Sequence, residues 1–240
     1  MPHVNSAQRG PIATGRRSGI QFASGARRIA TCVTFTALAA SAWCGAAELT
    51  VTVVDRAGHG VGNVVVTAAG GMGGSASPGV PKTAVMDQRN LAFQPPVLVV
   101  AVGTRVDFPN SDSVSHQVYS FSPAKRFQLP LYKGEFHPPV TFGDPGLVVL
   151  GCNIHDSMVG YIVVTPAPYF GVTTAEGSLT LRDLPKGDYQ LSIWSPYIVD
   201  APAALSRSVH VEGGESASFA LVSPLRALPE PRPRRRDWEY

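Results

Sequence analysis

Cysteine is scarce and poorly placed for a disulfide framework: the 240 residues contain three, Cys32, Cys44 and Cys152. The first two fall in an N-terminal stretch of leader-like composition, which leaves Cys152 alone in the remainder. A single cysteine in an oxidising compartment has no internal partner, so it is either a small buried apolar residue or a ligand. Charge is scarce as well, at 15% of residues. The formal excess of +3 belongs to residues 1–47, where Arg9, Arg16, Arg17, Arg27 and Arg28 meet no acidic residue. Removing these five from the 20 basic residues leaves 15 against 17 acidic ones, so the body of the chain carries no nucleic-acid footprint. Ile29 to Trp43 is too short and too interrupted by threonine for a comfortable membrane span. No amphipathic helical repeat of useful length appears. Catalytic constellations are missing too. Asp156 stands near His155 without a second carboxylate or a nucleophile, and Gly70 to Gly74 lacks the lysine and strand-to-helix setting of a phosphate loop. The chain is therefore not expected to be an enzyme.

Arg27 and Arg28 precede the apolar stretch, and Cys44-Gly45-Ala46-Ala47 precedes the first acid, Glu48. A basic start, an apolar middle and small residues before a cleavage point form the pattern of a secretory signal peptide. Residues 1–47 are read as a leader, and the mature protein as exported to the periplasm without stable membrane insertion.

What is abundant is turn chemistry and β-forming residues: 24 Gly, 21 Pro and 44% hydrophobic residues. Leu49 to Val54 alternates as a strand, Asp55 to Gly60 turns, and Val61 to Ala68 reads as the second arm of a hairpin. Residues 69–82 are glycine- and proline-rich, a loop or linker. Beyond them short strands recur: Ala84 to Gln88, Val97 to Val102, Arg105 to Phe108, His116 to Phe121, Val140 to Phe142, Leu147 to Cys152 and Tyr161 to Thr165. An irregular, proline-containing segment lies between Pro123 and Pro139. After Pro168 come the runs Val172 to Leu181 and Asp183 to Trp194, and Ser208 to Val211 and Ser216 to Leu221 would complete a sheet with them. The class is all-β, a sandwich of short strands. From residue 224 the chain is rich in proline and arginine and reads as a disordered basic tail.

One stretch concentrates unusual chemistry. Between two apolar strands, Gly151 to Gly160 places a thiol (Cys152), an imidazole (His155) and a thioether (Met158) within seven residues. Thiolate and imidazole hold copper in both oxidation states, and a methionine sulfur supplies a long, weak axial bond. Such a site takes two histidines and one cysteine in its trigonal plane, so a second histidine must come from elsewhere. His116 is the best placed. His137, among Phe136, Pro138 and Pro139, is its main competitor, while His59 and His210 lack ligand spacing. Taken singly, each residue has an ordinary structural role; in register between two strands they point to copper.

The spacing Cys152-x-x-His155-x-x-Met158, followed by Val159-Gly160-Tyr161-Ile162-Val163-Val164, resembles the ligand loop of cupredoxins and is as short as that of amicyanins. Upstream, Phe93-Gln94-Pro95, Val99 to Gly103 and Val106-Asp107-Phe108-Pro109-Asn110, ending at His116, are similar to the strands that deliver the first histidine in plastocyanin-like proteins. The wording from Gln88-Arg89-Asn90 to Cys152-Asn153-Ile154-His155-Asp156 is also similar to periplasmic cupredoxins of the methylamine-utilisation type. The resemblance covers residues 83–166. It implies a Greek-key sandwich and a single copper held by His116, Cys152, His155 and Met158. By the same resemblance, Gln117 is expected to donate its backbone N–H to the cysteine sulfur, and Asn110 either to tie the ligand loops together or to serve the turn after Pro109. The flanks, residues 48–75 and 168–223, resemble a carboxypeptidase-regulatory-like (prealbumin-like) β-sandwich, from which follows a nested architecture with the cupredoxin inserted into a discontinuous second sandwich. The function so implied is electron transfer between periplasmic redox proteins, such as a dehydrogenase, a c-type cytochrome or a haem peroxidase-like enzyme. The alternatives are a copper chaperone or store, and a non-catalytic envelope binding module.

Overall fold

The computed structural model describes residues 47–71, 82–134 and 137–227. Of the segments read as a leader (1–47), a loop or linker (69–82) and a basic tail (from 224), residues 1–46, 72–81 and 228–240 lie outside the described residues, as do 135 and 136.

Among the described residues the fold is all-β, with one short 3-10 turn at Pro202–Leu205. Two strands come first, β1 (Ala47–Val54) and β2 (Val65–Gly70). The middle of the chain contributes β3 (Thr83–Val85), β4 (Asp87–Arg89), β5 (Ala92–Gln94), β6 (Val97–Ala101) and β7 (Thr104–Asp107). It continues with β8 (Tyr119–Ser122), β9 (Lys125–Gln128), β10 (Val140–Phe142), β11 (Gly146–Gly151) and β12 (Val159–Thr165). The last segment holds β13 (Tyr169–Val172), β14 (Ser178–Leu184), β15 (Gly187–Trp194), β16 (Ser206–Val211) and β17 (Gly214–Ala220).

Period-2 alternation drives each sandwich. In β1, Leu49, Val51 and Val53 are fully buried while the residues between them are not. β1 is central in a three-stranded sheet, antiparallel to β14 and parallel to β17. β2 belongs to a four-stranded sheet in the order β13-β2-β15-β16. The two sheets close on one core that includes Leu49, Val51, Val53, Val66, Leu181, Leu191 and Phe219. β1 and β2 thus do not form the expected hairpin. The chain doubles back at Val54–Gly60, where the Val61 N–H bonds Val53 O, and then crosses to the opposite sheet. Asn63, at φ 57°, makes the bend. The buried Thr173 hydroxyl clamps it, donating to Val61 O (2.8 Å) and accepting from Val64 N–H (3.1 Å). Alternation dictates which face is buried; it does not specify the sheet.

Between β2 and β13 the chain builds a second sandwich. One layer is β10-β7-β3, the other β6-β12-β11-β8-β9, and β4-β5 is a separate two-stranded ribbon. Their shared core includes Met86, Phe93, Val106, Phe108, Phe142, Leu150 and Ile162. The chain leaves one sheet and re-enters it side by side, since Tyr169 of β13 lies opposite Ala68 of β2. Three local expectations change. The strand read at Ala84–Gln88 breaks at Met86, which is wholly buried between β3 and β4. The strand read from His116 begins only at Tyr119, because residues 111–118 form a loop around the His116 ring. The irregular segment contains β9, an edge strand paired to β8 (Phe121 opposite Arg126).

Candidate metal centre

β11 and β12 are adjacent antiparallel strands, and the loop joining them runs from Cys152 to Met158. Inward positions of β11 are Val148 and Leu150, so the next alternate residue, Cys152, falls on the core face and is 2% exposed. In β12 the inward set is Gly160, Ile162 and Val164, and stepping back two residues gives Met158, also buried. The core face of the sheet therefore presents both sulfur residues at the mouth of the loop. His155 sits between them, half-buried, with its carbonyl accepting the Met158 N–H at 2.9 Å.

His116 arrives from the other side of the loop and is wholly buried. Its backbone pairs with Tyr132 in both directions, N–H to O at 2.9 Å each way. The Tyr132 hydroxyl donates to Phe108 O (2.5 Å) and accepts from the buried Gln88 side chain. Burial pushes Tyr132 up to about 12, so it remains a neutral donor. Asn110 braces the same loop: its amide donates to Val114 O (3.0 Å) and Tyr132 O (2.8 Å), and its carbonyl accepts from Asp112 N–H (3.0 Å). These described bonds serve the turn that carries His116 and do not run to the Cys152 loop. Among the described residues Gln117 has no hydrogen bond to the Cys152 sulfur.

Three donor atoms converge. His116 Nδ1 lies 3.2 Å from His155 Nδ1, and Cys152 Sγ lies 3.8 Å from the first and 3.7 Å from the second. A point equidistant from all three is about 2.1 Å from each, within the range of about 2.0–2.3 Å for metal–imidazole and metal–thiolate bonds. Two imidazoles and a thiol are the donor set that suits copper or zinc, so a metal ion fits these residues. Met158 shares the core cluster with Cys152 at the same loop.

The other face of His116 meets a residue that the sequence reading did not single out. Its Nε2 lies 2.7 Å from Asp112 Oδ2. That carboxylate also accepts N–H bonds from Asn90 (2.7 Å) and Leu91 (2.9 Å) at the β4–β5 turn. Burial acts to raise the Asp112 carboxyl, but the Leu91 N–H, the His116 ring and the Asn90 N–H outweigh it and hold it below its ordinary value. The available signal was an acid four residues before a candidate ligand.

The remaining described histidines lie elsewhere. The His137 ring packs edge-on against Tyr132, centroids 4.2 Å apart, and its Nε2 has no hydrogen-bond partner among the described residues. His59 is exposed beside Asp55, and His210 bridges Asp188 and Glu212.

No protein-family model matches the chain, and no curated protein matches it. Among solved structures it is similar to a purple cupredoxin from Nitrosopumilus maritimus, 25% identical over 34% of this chain and 99% of that one, with a TM-score of 0.31. A copper-containing nitrite reductase from Thermus scotoductus is 28% identical over 40% of this chain, with a TM-score of 0.33, and only 25% of its own length is spanned. A reduced tryptophan-to-tyrosine variant of amicyanin is 24% identical over 42% of this chain and 98% of its own, with a TM-score of 0.32. Among the described residues the architecture is all-β.

Proposed function

We propose that this chain is a mononuclear type 1 copper protein that carries single electrons between periplasmic redox partners. The observation that carries this reading is the triangle of His116 Nδ1, His155 Nδ1 and Cys152 Sγ, with sides of 3.2, 3.7 and 3.8 Å. Copper held there supplies a one-electron couple. Cys152, His116 and His155 would hold it, and Met158, buried at the same loop, would offer a further sulfur donor. Four protein donors would leave such a centre no open position for a substrate, which favours carriage over catalysis.

The chain's contribution is rigidity and access. Cys152 and Met158 are fixed by two adjacent strands, and His116 by its pairing with Tyr132. Ligands held this way suit Cu(I) and Cu(II) with nearly one geometry. His155 is the least buried of the three donors and lies next to Ile154, which is 50% exposed. Electrons are therefore expected to pass at the His155 edge, against a small and transient partner surface. A dehydrogenase, a cytochrome or a haem peroxidase-like enzyme would fit that role.

The test is the visible spectrum of the exported protein with one equivalent of Cu(II), alongside Cys152→Ser. An intense blue band that disappears in the variant supports a thiolate–copper centre. A pale complex indifferent to the substitution would place the metal elsewhere and remove the reading. Irreversible loss of copper on one-electron reduction would favour a chaperone or store.

A further inference from the structure

The β4–β5 ribbon reverses through Asn90 and Leu91, with φ of 55° and 58°. Two successive left-handed residues make the tight turn that matches strand twist, and the second position normally belongs to glycine. A leucine there is held in a conformation it seldom adopts, and such outliers justify asking what they achieve. Here the turn aims two successive N–H groups at one carboxylate: Asn90 to Asp112 Oδ1 (2.7 Å) and Leu91 to Asp112 Oδ2 (2.9 Å). The Asp112 backbone is tied as well, its N–H donating to Asn110 Oδ1 (3.0 Å). The ribbon itself is stitched to the same loop, since Gln88 N–H bonds Pro109 O and Ser111 N–H bonds Gln88 O, both at 3.0 Å.

We propose that the Asn90–Leu91 turn and Asp112 form a positioning device that fixes the His116 ring, and which of its nitrogens bears the proton, before any metal arrives. The inference rests on the metal-centre reading above. An ionised carboxylate only accepts hydrogen bonds. Oδ2, already taking the Leu91 N–H, therefore requires a proton on His116 Nε2, 2.7 Å away. A neutral ring protonated there presents a bare Nδ1 to Cys152 and His155. In the metal-free protein that lone pair can only accept, from His155 Nδ1 at 3.2 Å or from the Cys152 thiol at 3.8 Å. The site is thus assembled with one imidazole lone pair already aimed inward. Asp112 acts through His116 and touches no metal, so it is a positioning residue and not a ligand.

The experiment uses the exported, metal-free protein and long-range proton–nitrogen NMR of its histidine rings. His116 is expected to show a proton on Nε2 and a bare Nδ1. A wild-type ring protonated at Nδ1 alone would overturn the proposal without any variant. Asp112→Asn replaces an obligate acceptor by a group that can donate, so the proton is expected to move wholly or partly to Nδ1. Cu(I) affinity, read by competition with a chromophoric chelator, is expected to fall about 10–100-fold, the usual cost of losing such an outer contact. A folded Asp112→Asn protein with Nδ1 still bare and unchanged Cu(I) affinity would refute the device. If the wild-type protein bound no copper, the metal-centre reading would fail, while the ring protonation of the two proteins would still decide whether Asp112 orients His116.

Discussion

Two glycines flank the ligand loop, and the same substitution is expected to act very differently at each. A Cβ added at Gly160 lies 2.9 Å from both Cβ and Cδ2 of Phe93 and 3.0 Å from its Cγ. Phe93 is 1% exposed in the same core as Cys152 and Met158. Its Cβ is tied to the backbone of β5, so the ring cannot turn aside and the strands must part. A Cβ added at Gly151 also comes close, 2.7 Å from Tyr119 Cζ and 2.8 Å from its hydroxyl. Those atoms are the far end of a half-buried side chain whose ring neighbour, Phe121, is 71% exposed. The Tyr119 ring can swing outward. Overpacking a well-filled core costs about 1–3 kcal/mol, and alanine recovers about 0.4–1 kcal/mol by restricting the unfolded chain where φ permits it. Neither glycine has a positive φ. Gly160→Ala should therefore destabilise by about 1–2 kcal/mol net and Gly151→Ala by close to zero. Native-state hydrogen exchange reads this locally, through the slowest amides of β11 and β12. Equal losses in the two variants, or a larger loss at Gly151, would refute the argument that the fixed Cβ of Phe93 decides the outcome.

Other outcomes can be checked with simpler assays. Thr173→Val strips two backbone groups, Val61 O and Val64 N–H, of their partner; a loss of about 1–3 kcal/mol in urea unfolding is expected, and no change would show that water replaces the hydroxyl. Met158→Leu keeps the volume of a buried side chain, so the metal-free protein should lose less than about 1.5 kcal/mol; on the copper reading it should still bind one Cu(II) with an altered spectrum. His210 is raised above its ordinary value, first by its hydrogen bond to Asp188 and then by that to Glu212. A raised folded-state value contributes stability that is fully present below the unfolded value and is lost as pH rises through the folded one. Proton NMR should therefore show His210 titrating at lower pH in Asp188→Asn than in wild type, and an unchanged midpoint would dismiss the pair.

Strand positions were the most legible part of the fold. The alternation at Leu49, Val51 and Val53, and at Val148 and Leu150, comes from burial of one face, and burial is written in local hydrophobicity. Which sheet a strand joins is not, and so β1 and β2 read as a hairpin although they lie in opposite layers. Edge strands such as β9 bury too little to impose a pattern. At the candidate site, the grouping of Cys152 with His155 was legible because they are close in sequence and chemically uncommon. His116 followed from what a copper plane requires. Asp112 was not legible. It stands in a serine-rich loop where an acid is ordinary, and its importance comes from a turn at Asn90 and Leu91 that is remote in sequence.

The side-by-side exit and return of the chain at β2 and β13 has a consequence for the order of assembly. Residues 83–165 are contiguous and hold all the strands of their sandwich, so they can close as soon as they are available. The enclosing sandwich cannot: Thr50 of β1 meets Thr180 of β14 across 130 residues of chain. Closing so long a loop is costly while the intervening chain is slack. Once the inner sandwich has formed, residues 83–165 are no longer slack chain and the loop left to close is effectively shorter. The inner body thereby acts as the turn of a very large hairpin, and damage to its core should slow folding of the outer strands.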